Sequence, residues 1–193
     1  MIEILKKTTA ELVKEGELRV GGNEARTRIS VMTDNVRSLD NVGMIFRLCE
    51  LAKAEHLYLG GYTGYPRIEN DDRPEIVIER HTRRIEKTGV YAVDLQPWSY
   101  VSDPVPRTRE LKTAGYQIAA LEQTDQSGSY HQVDYEMPML LIVGHEREGI
   151  RQELLELADL IIEIPILGQG NSHNVATATG IVLYEILRQT GRI

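Results

Sequence analysis

Three short polar segments stand out because folding alone does not require their composition. Asn41-Val42-Gly43-Met44-Ile45-Phe46-Arg47 sets an amide, a glycine and a cation at the start of an apolar helical pattern. Gly144-His145-Glu146-Arg147-Glu148-Gly149-Ile150 brackets charged side chains between glycines, which lets a backbone wrap closely around a ligand. Ile164-Pro165-Ile166-Leu167-Gly168-Gln169-Gly170-Asn171-Ser172-His173-Asn174 gathers amides, hydroxyls and two further glycines. Each follows a strand candidate, and ligands of parallel α/β sheets bind outside the carboxyl ends of the strands. Two glycine-bearing loops at such ends suggest one pocket. Plainer readings exist for each segment: a helical turn with Arg47 facing solvent, a turn with a solvated Glu-Arg-Glu run, and Ser172 or Asn174 as a helix N-cap. Neither the G-x-G-x-x-G fingerprint nor a Walker loop occurs, so ordinary NAD or ATP binding has little support. The five histidines lack the H-E-x-x-H spacing, and no metal is expected.

The elements that must position these segments alternate between strand and helix. A strand at Ile29 to Met32, a helix across Asn41 to Ala54 and a strand at His56 to Leu59 make a β-α-β signature. Residues 62–74, YTGYPRIENDDRP, have no apolar period and read as an exposed loop. Helices are expected over Glu75 to Thr88 and Pro106 to Thr113, with a short strand or turn near Val93 to Tyr100. Strands at Tyr116 to Leu121, Met139 to Val143 and Leu160 to Ile164 precede a closing helix from Asn174 to Gln189. The runs LLIV and LIIEI lack alternation, as strands buried on both faces do. The fold class is therefore α/β, a mostly parallel sheet covered by helices on both faces. Ile2, Leu5, Leu12 and Val13 among charged residues suggest a short amphipathic helix, broken by Gly16 and by Gly21-Gly22.

Composition narrows the class of partner. The 193 residues carry 22 basic and 29 acidic side chains, a net charge of −7, which disfavours a generic polyanion binder. Residues 1–100 hold only −1 of that charge and residues 101–193 hold −6, so contact with nucleic acid is expected in the first half. No apolar run approaches bilayer length, the charged start lacks a signal-peptide core, and Cys49 is the single cysteine. A cytoplasmic protein without a membrane partner is the expectation.

The segments taken together resemble a known family. Asn41-x-Gly43-x-x-x-Arg47, then Gly144-x-Glu146-x-x-Gly149-Ile150, then Ile164-Pro165 with Ser172-His173-Asn174-Val175-Ala176 and Gly180-Ile181-x-Leu183-Tyr184-Glu185 resemble, in order, the three motifs of the SpoU-type RNA 2′-O-ribose methyltransferases of the SPOUT superfamily. The likeness spans Arg28 to Gln189. It implies a deep C-terminal trefoil knot, which the usual bar on threaded chains would not have suggested, with a helical extension over 1–27 ahead of a catalytic domain over 28–193. It also implies S-adenosyl-L-methionine held in the knot and a homodimer whose active site draws on both subunits. By the same resemblance Leu121, Gly144, Gly149, Ile164, Ile166, Ser172, His173 and Asn174 are the cofactor-binding positions. His173 and Ala176 stand where the family usually has leucine and serine. An imidazole beside a sulfonium avoids repulsion only when uncharged or turned away.

The resemblance makes Arg47 the catalytic arginine. Guanidinium stays protonated, so Arg47 is expected to stabilise the developing alkoxide and to grip an adjacent phosphate. Asn41 is expected to orient substrate or the arginine, and Glu146 to fix Arg47 through a charge-assisted contact, within the chain or across the dimer. Arg80, Arg83, Arg84 and Lys87 fall at i, i+3, i+4 and i+7 on one helical stripe, a footprint for phosphates of an RNA substrate, although Glu79 and Glu86 flank it and a solvated face is the plain alternative. Tyr62, Tyr65 and Arg67 are candidates to stack on an unpaired base. Methylation of tRNA or rRNA is the leading reading. The alternatives are a non-catalytic knotted module that holds RNA or cofactor, and an unrelated α/β ligand-binding domain.

Overall fold

The computed structural model describes residues 6–21 and 25–193. Its centre is a seven-stranded sheet, every pairing parallel, built from β1 (Ile29–Asp34), β2 (His56–Gly60), β3 (Trp98–Val101), β4 (Gln117–Leu121), β5 (Gly128–Ser129), β6 (Met139–Val143) and β7 (Leu160–Glu163). The strand order is β3-β2-β1-β6-β4-β7-β5. The chain thus builds one half outward from β1, then crosses to build the other, with β6 inserted between β1 and β4. Such a reversal of strand order opens a crevice at the carboxyl ends.

Both faces of the sheet are covered, as the unbroken apolar runs predict. Along β6 the side chains of Met139, Leu141 and Val143 join one core with Ile29, Val31, Phe46 and Leu57. Leu140 and Ile142 point into the other, with Met32, Ile118, Leu111 and Leu154. The first core is capped by α2 (Leu39–Leu51), α3 (Glu75–Gly89), α4 (Ala92–Leu95) and α7 (Val175–Gln189), the second by α5 (Pro104–Thr113) and α6 (Gln152–Leu155).

Several expectations need correction. The N-terminal helix, α1, runs Thr9–Gly21, straight through Gly16; Ile2, Leu5 and Gly22 lie outside the described residues, and Leu12 is exposed. The segment Val93 to Tyr100 divides into α4 and then β3. The 62–74 loop is not exposed throughout, because Thr63 to Pro66 are buried. Tyr65 stacks on Tyr100 with centroids 4.1 Å apart, and the Arg73 guanidinium lies 3.4 Å over its other face. Arg73 also holds Asp71 at 2.6 Å and donates to the carbonyls of Tyr65 and Pro66. Tyr65 is therefore part of the structure of the loop and is not free to stack on a base, and Arg67 is ion-paired with Glu75.

Two helix contacts depend on missing side chains. A Cβ on Gly43 would overlap Thr88 Oγ1 and the carbonyl oxygen of Ile85, so α2 and α3 meet backbone to backbone there. The Thr88 hydroxyl donates to the Asp40 carbonyl at 3.0 Å across the same contact. A Cβ on Gly180 would lie 3.0 Å from Leu48, where α7 crosses α2. Gly43 thus serves helix packing, not approach to a ligand. Gly43→Ala is expected to lower unfolding free energy by about 1–3 kcal/mol, the range for overpacking, despite the better helix propensity of alanine. Urea denaturation checks this, and an unchanged midpoint would show that α3 can back away freely.

Candidate active site

The loop after β6 owes its shape to its glycines. His145 and Gly149 exchange backbone hydrogen bonds of 3.1 and 3.0 Å. A Cβ on Gly144 would overlap the Gly149 carbonyl and the Ile150 nitrogen. Gly149 has φ +70°, and a Cβ there would overlap the Glu122 carboxylate, so a side chain is strained at both positions. Two carboxylates then pin the end of the loop. Glu122 accepts from the Ile150 N–H at 2.8 Å, and buried Asp34, the last residue of β1, accepts from the N–H and Nε of Arg151, both at 2.9 Å. Sequence reasoning missed Glu122, Asp34 and Arg151. The available signal was an acidic residue directly at the carboxyl end of a strand.

Glu146 projects from this loop toward the start of α2. Its carboxylate accepts from the N–H groups of Arg37 and Ser38, each at 3.0 Å, and from Asn41 Nδ2 at 2.9 Å. Burial pushes its carboxyl pKa up, but those backbone donors, its own N–H and Asn41 outweigh burial and hold it below the usual carboxylate range. The other end of the Asn41 amide accepts from Asn174 Nδ2 at 2.9 Å. Asn174 in turn caps α7, its Oδ1 accepting from the N–H groups of Ala176 and Thr177 at 3.0 and 3.1 Å. The three segments therefore meet through one chain of hydrogen bonds, Glu146 to Asn41 to Asn174 to the α7 N-terminus.

Beside this chain lies a cavity of about 520 Å³ at the carboxyl ends of β4, β6 and β7. Of the expected cofactor positions Leu121, Gly144, Gly149, Ile164, Ser172 and His173 line it, together with Glu122, Glu146 and Glu163. Ile166 and Asn174 do not. Asn174 acts through its cap of α7 and its bond to Asn41. His173 is an exposed part of the lining, and Ala176, in the first turn of α7, is fully buried, where an apolar methyl suits the core.

Arg47 does not line the cavity of its own chain. It lies six residues beyond Asn41, roughly one and two-thirds helical turns, and so faces outward beside Met44 and Leu51 while Asn41 faces in. Its side chain is exposed and has no hydrogen-bond or ion-pair partner among the described residues. Within the chain Glu146 does not hold Arg47, because its oxygens are already engaged by α2's own N-terminal donors. On α3, Arg80, Arg83, Arg84 and Lys87 are all exposed on one stripe. Arg84 is paired with Asp40 at 2.5 Å, whereas Arg80 and Arg83 line a second hollow of about 510 Å³ with Arg67 and Thr82. Among the described residues no group of three His, Cys, Asp or Glu side chains is arranged to hold a metal ion, and no described helix is long and apolar enough to cross a membrane.

Fold and site together define a parallel α/β protein with its ligand cavity in loops that close the C-terminal half. The chain belongs to the SpoU rRNA Methylase family, whose pattern it matches over residues 28–184. It is 34% identical over 162 residues to the tRNA (guanosine(18)-2′-O)-methyltransferase of Aquifex aeolicus, covering 82% of this chain and 68% of that protein. Among solved structures it is similar to the A. aeolicus TrmH/SpoU tRNA modifying enzyme, with a TM-score of 0.75 and 31% identity over 93% of this chain and 85% of that one. The AdoMet-bound rRNA methyltransferase of Sinorhizobium meliloti gives 0.67 and 28%, over 83% of this chain and 56% of that one.

The tie made by Glu146 requires its charge. A depressed carboxyl pKa contributes stability that is present above the unfolded value and is lost as pH falls through the folded one. The stability advantage of the unaltered protein over Glu146→Gln is therefore expected to be full near neutrality and to vanish in acid, below the ordinary carboxylate range. Urea titrations between pH 3 and 7 measure it; a constant difference across that window would contradict the assignment.

Proposed function

We propose that this chain is an S-adenosyl-L-methionine-dependent methyltransferase that acts on a ribose 2′-hydroxyl of tRNA or rRNA, working as a homodimer in the cytoplasm. The observation that carries this reading is the meeting of Asn41, Glu146 and Asn174 beside a ligand-sized cavity in a chain of this family. The cavity suits the cofactor in size and in charge, since Glu122, Glu146 and Glu163 outnumber Arg147 in its lining and favour a ligand bearing sulfonium and ammonium groups. Leu121, Val143 and Ile164 supply apolar walls, while Gly144 and Gly149 give backbone surface. When bound, the cofactor supplies an electrophilic methyl group.

The chain's own residues then have separate tasks. Gly144, Gly149, Ser172 and His173 hold the donor; Glu122 and Asp34 keep the loop in place; Asn41 and Asn174 fix the two loops relative to α2. Displacement at a methyl group leaves little for the protein to do except align the reactants and stabilise charge. Arg47 is suited to the second task as a permanent cation near the developing alkoxide and its neighbouring phosphate.

Its outward direction supports the dimer. Met44 and Leu51 share its helical face and are 41% and 51% exposed, and Tyr184 on the adjoining α7 is 43% exposed. Apolar side chains around an exposed arginine with no partner among the described residues suit an interface that delivers Arg47 to the cavity of a second copy. The proposal includes the trefoil knot implied by the family. With β6 between β1 and β4 and β7 beyond β4, the closing segment must pass back across the sheet for α7 to pack on α2. It also includes a boundary near residue 27, where the family match is about to begin, and an RNA contact on Arg80, Arg83 and Lys87, with Arg84 shared with Asp40.

Methyl transfer from radiolabelled S-adenosylmethionine to total cellular RNA tests the reading, alongside calorimetry of cofactor binding. Arg47→Ala is expected to lower transfer by about 10²–10³-fold, as loss of a group that stabilises developing charge does, with cofactor affinity unchanged. Equal loss of both would make Arg47 structural. Cofactor binding without any transfer by the unaltered protein would favour the non-catalytic module.

A further inference from the structure

Tyr62 is 58% exposed, yet its backbone is held firmly. Its N–H donates to Asn35 Oδ1 at 3.0 Å, and the preceding Gly61 N–H donates to the Val101 carbonyl at 3.0 Å. Asn35 sits at φ +61°, a conformation that asparagine tolerates better than most side chains, and its amide donates to Asp34. The Tyr62 ring meets the His145 ring edge-on, with centroids 6.0 Å apart and planes at 75°. His145 lines the cavity. Its Nδ1 accepts from the N–H groups of Arg147 and Glu148, at 3.2 and 3.0 Å, so in the neutral ring the hydrogen resides on Nε2, leaving a donor directed away from the loop. Burial and the carboxylates of Glu148, Glu146 and Asp34 push the pKa of the Tyr62 hydroxyl up while exposed Arg37 pulls it down; exposed Arg147 follows His145 by two residues and gives it a backbone hydrogen bond.

We propose that Tyr62 and His145 form a corner at the cavity mouth that receives the unstacked base of the RNA nucleotide being modified, with Tyr62 stacking on its face and Arg37 and Arg147 holding the adjacent phosphates. Aromatic faces interleaved with cations are the means by which single-stranded RNA is held. The carboxylates around the ring disfavour a phosphate against it, so a neutral base is the moiety that suits this position. The perpendicular His145 ring offers its N–H to an acceptor on the base edge. The sequence pattern had grouped Tyr62 with Tyr65 and Arg67, but those two are engaged within the loop, and the cavity-lining partner of Tyr62 comes from a different strand end.

This inference rests on the proposed RNA methylation, and its test separates the two. With radiolabelled S-adenosylmethionine and total cellular RNA, Tyr62→Leu is expected to raise the KM for RNA about tenfold, within the range for loss of one base stack, while calorimetric affinity for the cofactor stays unchanged. Tyr62→Phe, which keeps the ring, is expected to behave as the unaltered protein does. Arg37→Ala is expected to flatten the salt dependence of RNA binding by about 0.7 in log–log slope, as for one phosphate of a single strand, and Tyr62→Leu to leave that slope alone. A Tyr62→Leu protein with unaltered KM, or a Tyr62→Phe protein as impaired as Tyr62→Leu, would overturn the corner. No transfer by the unaltered protein overturns the underlying reading, and the corner with it.

Discussion

The carboxamide of Asn41 donates to Glu146 and accepts from Asn174, and the rest of the site is arranged around that double role. Its partners lie 105 and 133 positions away in the chain. An ionised carboxylate can only accept, so Glu146 requires donors, and it finds them in Asn41 and in two backbone N–H groups at the start of α2. An aspartate in place of Asn41 would put two acceptors face to face, and an apolar residue would leave both neighbours short of a partner. The amide is thus the piece that allows an acceptor-only group on one loop and a capping side chain on another to be secured by the same helix.

Steric constraints complete what the hydrogen bonds begin. Gly144 and Gly149 let the loop after β6 fold back on itself, and Glu122 and Asp34 then fasten its end to β4 and β1. Gly43 and Gly180 let α3 and α7 approach α2 closely, which sets where Asn41 and Asn174 stand relative to one another. Part of the cavity wall, at Gly144 and Gly149, is consequently bare backbone, held in place by Glu122 and Asp34. Arg47, by contrast, projects from the same helix into solvent, and the function proposed for it depends on a second copy of the chain.

Much of this architecture could be read from the amino acids. The unbroken apolar run at Met139–Val143 announced a strand covered on both faces, whereas Leu160–Glu163 is only half-buried apart from Ile162; the polar segments after β1, β6 and β7 do converge. Asn174 is an N-cap, as its position before an apolar helical period suggested. What could not be read were pairings between distant polar groups, because a hydrogen bond spanning a hundred residues leaves no periodic trace. Within the chain Glu146 holds α2's N-terminus and not Arg47, and Gly43 admits Thr88 and Ile85. Tyr65 looked like a surface aromatic because its loop is polar, but Arg73 and Tyr100 enclose it. β5 and α6 span only 2 and 4 residues, too few for any period to emerge.

Asn41 couples the loop after β6, through Glu146, to the start of α7, through Asn174. A double-mutant cycle on Asn41→Ala and Asn174→Ala, read as S-adenosylmethionine affinity by calorimetry, measures that coupling most directly. Each single change is expected to weaken binding, and the double change to weaken it by little more than the larger of the two. Fully additive losses, or affinity untouched by either change, would mean that the loops find their places without this amide.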